Sequence, residues 1–154
     1  MPHLAELNIA KLRFPKDDPR AAEFFDNLDR VNATAERMPG FVWRLKDEGG
    51  NATSIPFNED PQVIANVSVW ETPAALERYV FQTVHTAFYR KRDLWFEPLS
   101  GPHMVFWWVE PGRRPNFADA AARLGDLAAN GPSERAFGWS DLKSAEIWRS
   151  QRCA

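Results

Sequence analysis

The stretch "HMVFWWVEPG", residues 103–112, is an apolar run that ends at a charged residue and a Pro-Gly turn. Its length and composition are typical of a β-strand, in which consecutive side chains point to opposite faces. Trp107 and Trp108 therefore face different sides of a sheet, and we expect the strand to be buried on both sides. Parity places Trp108 with Met104 and Phe106, and we expect this set to line a pocket.

Periodic apolar spacing predicts further strands and helices upstream of this stretch. The predicted elements are a strand at 3–13, a helix at 19–38, strands at 41–48 and 62–71, and a helix at 73–96. Asp18 and Thr72 are candidate N-caps, each followed by a proline at the first helical position. The resulting order, β-α-β-β-α-β, predicts an α+β fold: a ferredoxin-like sandwich with both helices on one face of an antiparallel sheet.

The second face of that sheet is expected to be open in a single chain, although its strands carry Val, Trp and Leu on both faces. Apolar surface of that extent usually marks an interface between proteins. We therefore expect a homodimer in which two sheets close into a dimeric α+β barrel.

One more helical pattern follows the fourth strand. Asn116 is a candidate cap for an extra C-terminal helix at 117–130, which ends at an Asn-Gly pair. We predict a single domain over residues 1–137, with a long polar loop at 49–61. The remaining residues, 138–154, are expected to form a peripheral tail.

Composition and charge restrict the class of function. The chain has 154 residues, a net charge of −2 and a single cysteine. Nothing in this charge pattern indicates a nucleic-acid partner, and no apolar run of about 18 residues indicates a membrane span. Without a secretion signal we expect a cytoplasmic protein. Motifs of nucleotide-binding proteins, metalloproteases and serine hydrolases are absent, and three scattered histidines predict no metal site.

The predicted helix at 73–96 holds the first candidate site. His85 lies between Phe81 and Phe88 at helical spacing, and Arg92 follows about one turn later. A histidine in these surroundings could move a proton, bind a haem iron or hydrogen-bond a substrate. Alternatively, it is a core histidine bonded to a carbonyl or carboxylate. We predict that His85 is catalytic and that Phe81, Phe88, Tyr89 and Arg92 bind substrate.

Polar residues inside otherwise apolar strands form the second candidate site. Asn8 and Asn66 lie among Val, Ile and Ala, and a buried amide needs partners from the protein or from a ligand. If the first and third strands pair centrally, the two amides converge with Trp70 on one face. Alternatively, one or both lie at an edge or bind backbone. Trp43, Trp70 and the pair Trp107 and Trp108 could line such a cavity, or they could fill the core of the dimer.

Three stretches carry a resemblance to a known family: "FFDNLDRVNATAERMPGFVWRLKDEGGNAT" (24–53), "NVSVWE" (66–71) and "VFWWVEPGRRP" (105–115). In this order they resemble the bacterial family called domain of unknown function 3291, over residues 3–137. That family is similar to the antibiotic-biosynthesis monooxygenase-like dimeric α+β barrels. The resemblance implies two sheets paired into a barrel, with a pocket between sheet and helices in each protomer.

The superfamily that the resemblance implies contains cofactor-independent oxygenases, haem-degrading oxygenases, isomerases and ligand-binding proteins. Its haem degraders use an Asn on the first strand, together with a Trp and a His on the second helix. Asn8 and His85 occupy similar places here, but Tyr79 stands near the place of the Trp and its spacing to His85 is shorter. The leading expectation is therefore an enzyme without a cofactor, with haem as the alternative.

Together these patterns predict an enzyme that binds a hydrophobic, aromatic or polyketide-like small molecule. The expected reaction is a cofactor-independent monooxygenation or a related cyclisation or isomerisation. His85 is the expected acid or base, and Asn8 and Asn66 are expected to hold a substrate carbonyl or oxyanion. The alternatives are a haem-binding or haem-degrading oxygenase with His85 as ligand, and a non-catalytic ligand-binding or interaction module.

Overall fold

A computed structural model of the chain describes residues 1–47, 50, 52–53 and 55–152. Its strands are β1 (His3–Leu12), β2 (Phe41–Arg44), β3 (Val63–Trp70), β4 (Phe96–Glu97) and β5 (Met104–Val109). Its helices are α1 (Ala22–Glu36), α2 (Pro73–Gln82), α3 (Val84–Arg90), α4 (Arg92–Trp95), α5 (Phe117–Asn130) and α6 (Glu146–Arg152). None of the helices in these ranges is long and apolar enough to cross a membrane. The predicted end of the second strand at residue 48 and the start of the polar loop at 49 lie outside the described residues.

The sheet is antiparallel and has the strand order β2-β3-β1-β5, with the short β4 pairing the end of β1. β1 is central, with β3 on one side and β5 on the other; Leu4 lies opposite Trp70 on β3 and opposite Trp108 on β5. This order is the ferredoxin-like arrangement, so the predicted α+β fold is confirmed.

Alternation along the strands gives the sheet two faces with different partners. The helical face packs against α1, α2 and α3 and carries Leu4, Trp70 and Phe106. The other face packs against α5 and carries Leu7, Val67 and Trp107, among others. The two tryptophans of β5 therefore face opposite sides, as their parity in the sequence requires.

The second face is covered within the chain. α5 begins at a capping box between Asn116 and Asp119 and packs Phe117 and Ala120 onto the sheet. The loop before β3 covers more of this face, and its Phe57 ring meets Phe117 edge-on at 5.5 Å. The expectation that this face is open in a single chain is therefore wrong. The extra helix α5 packs on the surface that was expected to meet a partner sheet. The homodimer stays a prediction that no longer has this support.

The helix predicted over 73–96 is interrupted at Thr83, which has an extended backbone (φ −128°, ψ −169°). The Thr83 hydroxyl accepts a hydrogen bond from the His85 amide and donates one to the Tyr79 carbonyl at 2.6 Å. A threonine hydroxyl competes in this way with helical hydrogen bonds, and apolar spacing does not reveal the competition. The chain then passes through α4 into β4 instead of remaining helical to residue 96.

A bulge in β2 changes which of its side chains face the helices. The pairing of β2 with β3 shifts between Phe41 and Trp43, so strict alternation does not hold. Phe41 and Arg44 share the helical face, while Trp43 packs on the face of α5. Arg44 is buried rather than solvated, and its Nε donates to Glu36 Oε1 at 2.7 Å.

The segment after residue 137 packs into the core and corrects the prediction of a peripheral tail. Trp139 is only 8% exposed, and its ring meets Phe106 edge-on at 4.7 Å. Further along, the backbone amide of Trp148 in α6 donates to Oε2 of the buried Glu77 in α2 at 3.1 Å. Residues 138–148 are therefore part of the same domain.

Candidate functional site

A cavity of about 500 Å³ lies between the helical face of the sheet and helices α1 to α3. Its floor consists of polar side chains from β1 and β3: Glu6, Asn8, Asn66 and Ser68. Its walls are mainly apolar, and their aromatic members include Phe41, Trp70, Tyr79, Phe88, Phe106 and Trp139. A few polar groups in an apolar cavity are typical of a site for a small molecule.

Strand pairing brings the four floor residues together. Glu6 lies directly opposite Ser68, and Asn8 lies directly opposite Asn66. Glu6 is 4% exposed, and its Oε1 accepts hydrogen bonds from Ser68 Oγ at 2.7 Å and from Asn66 Nδ2 at 3.1 Å. Its Oε2 accepts one from Asn8 Nδ2 at 3.1 Å. Both predicted asparagines therefore converge, and the residue on which they converge is a carboxyl group.

Glu6 is a buried acid without a cationic partner among the described residues. Arg44 lines the same cavity but is held by Glu36 and by the Gly50 carbonyl. Burial raises the pKa of Glu6 to about 7, although its hydrogen bonds to Ser68 and the two asparagines act to lower it. At neutral pH both protonation states are populated, so this carboxyl can take up or release a proton.

Trp70 and Tyr79 connect the floor to the wall. The Trp70 indole N–H donates to Ser68 Oγ at 2.9 Å, and its ring stacks on Tyr79 with centroids 5.4 Å apart. The Tyr79 hydroxyl donates to the Val31 carbonyl at 3.1 Å. Burial, with a smaller effect of the Glu6 carboxylate, raises the pKa of Tyr79, so the hydroxyl keeps its proton at neutral pH.

His85 lies on the wall beside Tyr79, with ring centroids 5.0 Å apart. Its Nδ1 is 3.2 Å from the Val80 carbonyl oxygen, near the end of α2. Because a carbonyl only accepts, Nδ1 carries the hydrogen. Nε2 keeps a lone pair, and no described residue donates a hydrogen bond to it. Burial lowers the pKa of His85, so the imidazole is neutral at pH 7. His85 is thus bonded to a carbonyl, as the structural alternative expects, and also lines the cavity.

Tyr89 and Arg92 form an exposed rim of the cavity. The Arg92 guanidinium carbon lies 4.1 Å from the centre of the Tyr89 ring, and its Nη1 donates to the Tyr89 carbonyl at 3.0 Å. Burial, together with the charge of Arg92, lowers the pKa of His103 on the same rim. The rim is therefore polar, in contrast to the aromatic walls below it.

The structure brings most of the predicted site residues to this cavity. Those that line it are Asn8, Asn66, Trp70, His85, Phe88, Tyr89, Arg92 and Phe106.

Three predicted residues do not line the cavity. Phe81 packs against Trp139 at 5.7 Å, because the break at Thr83 separates its helix from that of His85. Trp43 lies on the other face of the sheet because of the bulge in β2. Trp108 is on the helical face, but it packs against Phe137 near the end of β5 and is 41% exposed.

Glu6 is the main site residue that the sequence prediction misses. It shares a strand face with Leu4 and Asn8, and both of its own strand neighbours, Ala5 and Leu7, are fully buried. Acidic residues are almost never buried without a partner, so a glutamate at a core-facing position of a central strand is itself a signal.

Among the described residues, His85 is the candidate ligand for a haem, and no cluster of metal ligands accompanies it. In the described part of the chain, no group of three or more His, Cys, Asp or Glu is arranged to hold a metal. His85 could ligate iron through Nε2, since only its Nδ1 is bonded to the Val80 carbonyl.

Solved structures match most of the chain at low sequence identity. The NE2512 protein of unknown function from Nitrosomonas europaea is 12% identical, with a TM-score of 0.51, and the match covers 75% of this chain and 97% of that one. SnoaB, a cofactor-independent oxygenase from Streptomyces nogalater, is 16% identical, with a TM-score of 0.48 and the same two coverages. At 12% identity the likeness to the NE2512 protein concerns the fold alone. No curated protein sequence matches the chain.

The family model described as Domain of unknown function (DUF3291) matches residues 3–153. The resemblance expected from the sequence ends at residue 137, so the family domain is longer than expected. This extent agrees with the packing of Trp139 and α6 into the core. The chain therefore belongs to the DUF3291 family.

Proposed function

We propose that the protein is an enzyme that removes a proton from a carbon atom next to the carbonyl group of a hydrophobic, aromatic small molecule. The observation that carries the proposal is Glu6, a buried carboxyl with a pKa of about 7 on the floor of an aromatic cavity of about 500 Å³. A general base is most effective when its pKa lies close to the operating pH. The cavity volume is in the range of small-molecule sites.

The proposed step is a proton transfer to Glu6. The substrate C–H bond breaks, an O–H bond forms on the carboxylate, and the electron pair moves onto the substrate carbonyl oxygen as an enolate. Asn66 uses one amide hydrogen on Glu6 and keeps a second, which is available to the enolate oxygen. The cavity walls are mainly apolar, and a hydrogen bond is stronger in surroundings of low polarity.

His85 is proposed as a second acceptor. Its neutral imidazole keeps the lone pair of Nε2, which can accept a hydrogen bond from a substrate hydroxyl. The main base is Glu6 rather than His85, because the pKa of Glu6 lies near neutrality whereas burial lowers that of His85.

The enolate can react in the ways that the sequence leads us to expect. Protonation at a different carbon gives an isomerase, and attack on a second carbonyl group gives a cyclase. Reaction with molecular oxygen as the oxidant gives a cofactor-independent monooxygenase. All three begin with the same proton transfer, which is therefore the step to test.

Hydrogen–deuterium exchange tests that step on a bicyclic aromatic ketone, 2-tetralone, dissolved in D₂O with the protein. Proton NMR follows the loss of the signal of the hydrogen atoms on the carbon next to the carbonyl group. We expect the wild type to accelerate exchange and Glu6→Gln to lower its rate by about 10²- to 10⁴-fold. Glu77→Gln is the matched control, because Glu77 is equally buried but lies outside the cavity, and it should leave the rate unchanged.

Exchange at the wild-type rate in a folded Glu6→Gln variant would contradict the assignment of the base. Binding of 2-tetralone by the wild type without any exchange would instead support the alternative of a non-catalytic ligand-binding module.

A further inference from the structure

A chain of hydrogen bonds ends at one oxygen of Glu6. The Trp70 indole nitrogen lies 2.9 Å from Ser68 Oγ, which lies 2.7 Å from Glu6 Oε1. An indole N–H only donates, so Ser68 accepts from Trp70 and directs its own hydrogen to Oε1. All three side chains are buried, so water does not compete for these groups.

The two oxygens of Glu6 therefore have different surroundings. Oε1 receives hydrogen bonds from Ser68 and Asn66 and a longer one from Asn8 at 3.4 Å, whereas Oε2 receives one, from Asn8 at 3.1 Å. A proton on Oε1 would meet two donors directed at the same atom, while a proton on Oε2 leaves those donors satisfied. We propose that Glu6 takes up and releases its proton at Oε2, and that Ser68 and Trp70 are positioning residues that keep Oε1 an acceptor in both protonation states.

Other ionisable groups on the cavity side do not account for this preference. Arg44 on β2 is held by Glu36, the Tyr79 hydroxyl on α2 donates to a backbone carbonyl, and the His85 Nδ1 on α3 does the same. On β5, the residue paired with Glu6 is the apolar Phe106. Only the catalytic meaning of this inference rests on the proposed function: in that reaction Oε2 is the oxygen that receives the substrate proton.

The experiment titrates Glu6 directly and needs no substrate. The whole chain is labelled with ¹³C in the glutamate carboxyl groups, its resonances are followed by NMR as pH changes, and Glu6 is assigned as the signal lost in Glu6→Gln. We expect Ser68→Ala to raise the pKa of Glu6 by about one to two pH units, because the ionised form loses a donor. Trp70→Phe should raise the pKa less, since Ser68 keeps its hydroxyl but loses the group that orients it.

Two variants serve as controls for this titration. Ser68→Thr keeps the hydroxyl and should restore the wild-type pKa, which a purely structural effect of the substitution would not do. Trp139→Phe makes the same change at another tryptophan of the cavity wall and should leave the pKa of Glu6 unchanged.

A fall or no change of the pKa in Ser68→Ala rejects Ser68 as a donor to the ionised form. The oxygen that carries the proton is read from the carbonyl stretch of protonated Glu6 in infrared difference spectra at low pH. With the proton on Oε2 the carbonyl oxygen is Oε1, so Ser68→Ala removes one of its hydrogen bonds and raises the stretching frequency. With the proton on Oε1 the carbonyl oxygen is Oε2, and an unchanged frequency in Ser68→Ala overturns the proposal. No change in Trp70→Phe, or an equal change in Trp139→Phe, rejects Trp70 as a positioning residue. Because this titration is independent of turnover, it can succeed when 2-tetralone exchange fails, and the reverse.

Discussion

The substitution Glu6→Gln removes an ionisable group from the central strand while keeping its size. Burial raises the pKa of Glu6 from its ordinary value of 4.5 to about 7. The folded chain therefore holds this proton over a pH range in which the unfolded chain has already lost it. We expect the stability of the wild type to fall across that range, and the stability of the glutamine variant to lack this component.

The sign and size of the effect follow from proton linkage. Below pH 4.5 the Glu6 carboxyl is neutral in both states and contributes no pH dependence. Between pH 4.5 and about 7 the folded state binds more protons, so the free energy of unfolding falls by about 1.4 kcal/mol per pH unit and by about 3 kcal/mol in total. Above that range Glu6 is ionised in both states and its contribution is constant.

Urea unfolding followed by tryptophan fluorescence measures this effect in steps of about one pH unit across the range. The quantity to compare is the free energy of unfolding of the wild type minus that of Glu6→Gln. Contributions from His85 and His103, whose pKa values are lowered by burial, cancel in this difference. We expect it to fall by about 3 kcal/mol as pH rises. A difference that stays level or rises would refute the raised pKa, and with it Glu6 as a base at neutral pH.

Three further measurements check other parts of the structure. Haemin added to the wild type and to His85→Ala should give no Soret band that depends on His85, because the proposed proton transfer uses the cavity for an organic substrate and needs no haem; a dependent band would restore the haem alternative. Light scattering should give the mass of one chain, 17.6 kDa, if the predicted homodimer depended on an open sheet face, because α5 covers that face; twice that mass would confirm the homodimer and place its interface on another surface. Trp139→Ala should lower the free energy of unfolding by about 3–5 kcal/mol, against about 1 kcal/mol or less for Trp108→Ala. Equal losses would contradict the core position of the C-terminal segment.

Much of the fold could be predicted because its determinants are local or periodic. The side chains of Asp18, Thr72 and Asn116 accept hydrogen bonds from amides two or three residues later, as their positions before helical patterns indicate. The extent of the elements was harder to predict. The break at Thr83 depends on a side-chain hydroxyl, and the bulge in β2 depends on pairing with β3. Neither leaves a trace in the apolar spacing.

The aromatic walls could be predicted only in part, because residue type does not determine which way a ring faces. Phe81 and Phe88 have the same type and lie on the same predicted helix, yet only Phe88 lines the cavity. The difference arises at Thr83, which ends one helix and begins the next. The cover of the second face could not be predicted, because the packing of α5 onto this face depends on tertiary contacts rather than on a pattern within the helix.

For the floor of the cavity, in contrast, the neighbouring polar residues are sufficient to infer the buried Glu6. Asn8, Asn66 and Ser68 occupy one face of two paired strands, and each carries a donor that needs an acceptor when buried. Carbonyls of a central strand are already used in its ladder, which favours a side-chain acceptor, and Glu6 is the carboxylate placed among all three. These donors are neutral: they stabilise the ionised form without supplying a positive charge. Burial is therefore only partly compensated, which is why the pKa of Glu6 lies near neutrality rather than well below it.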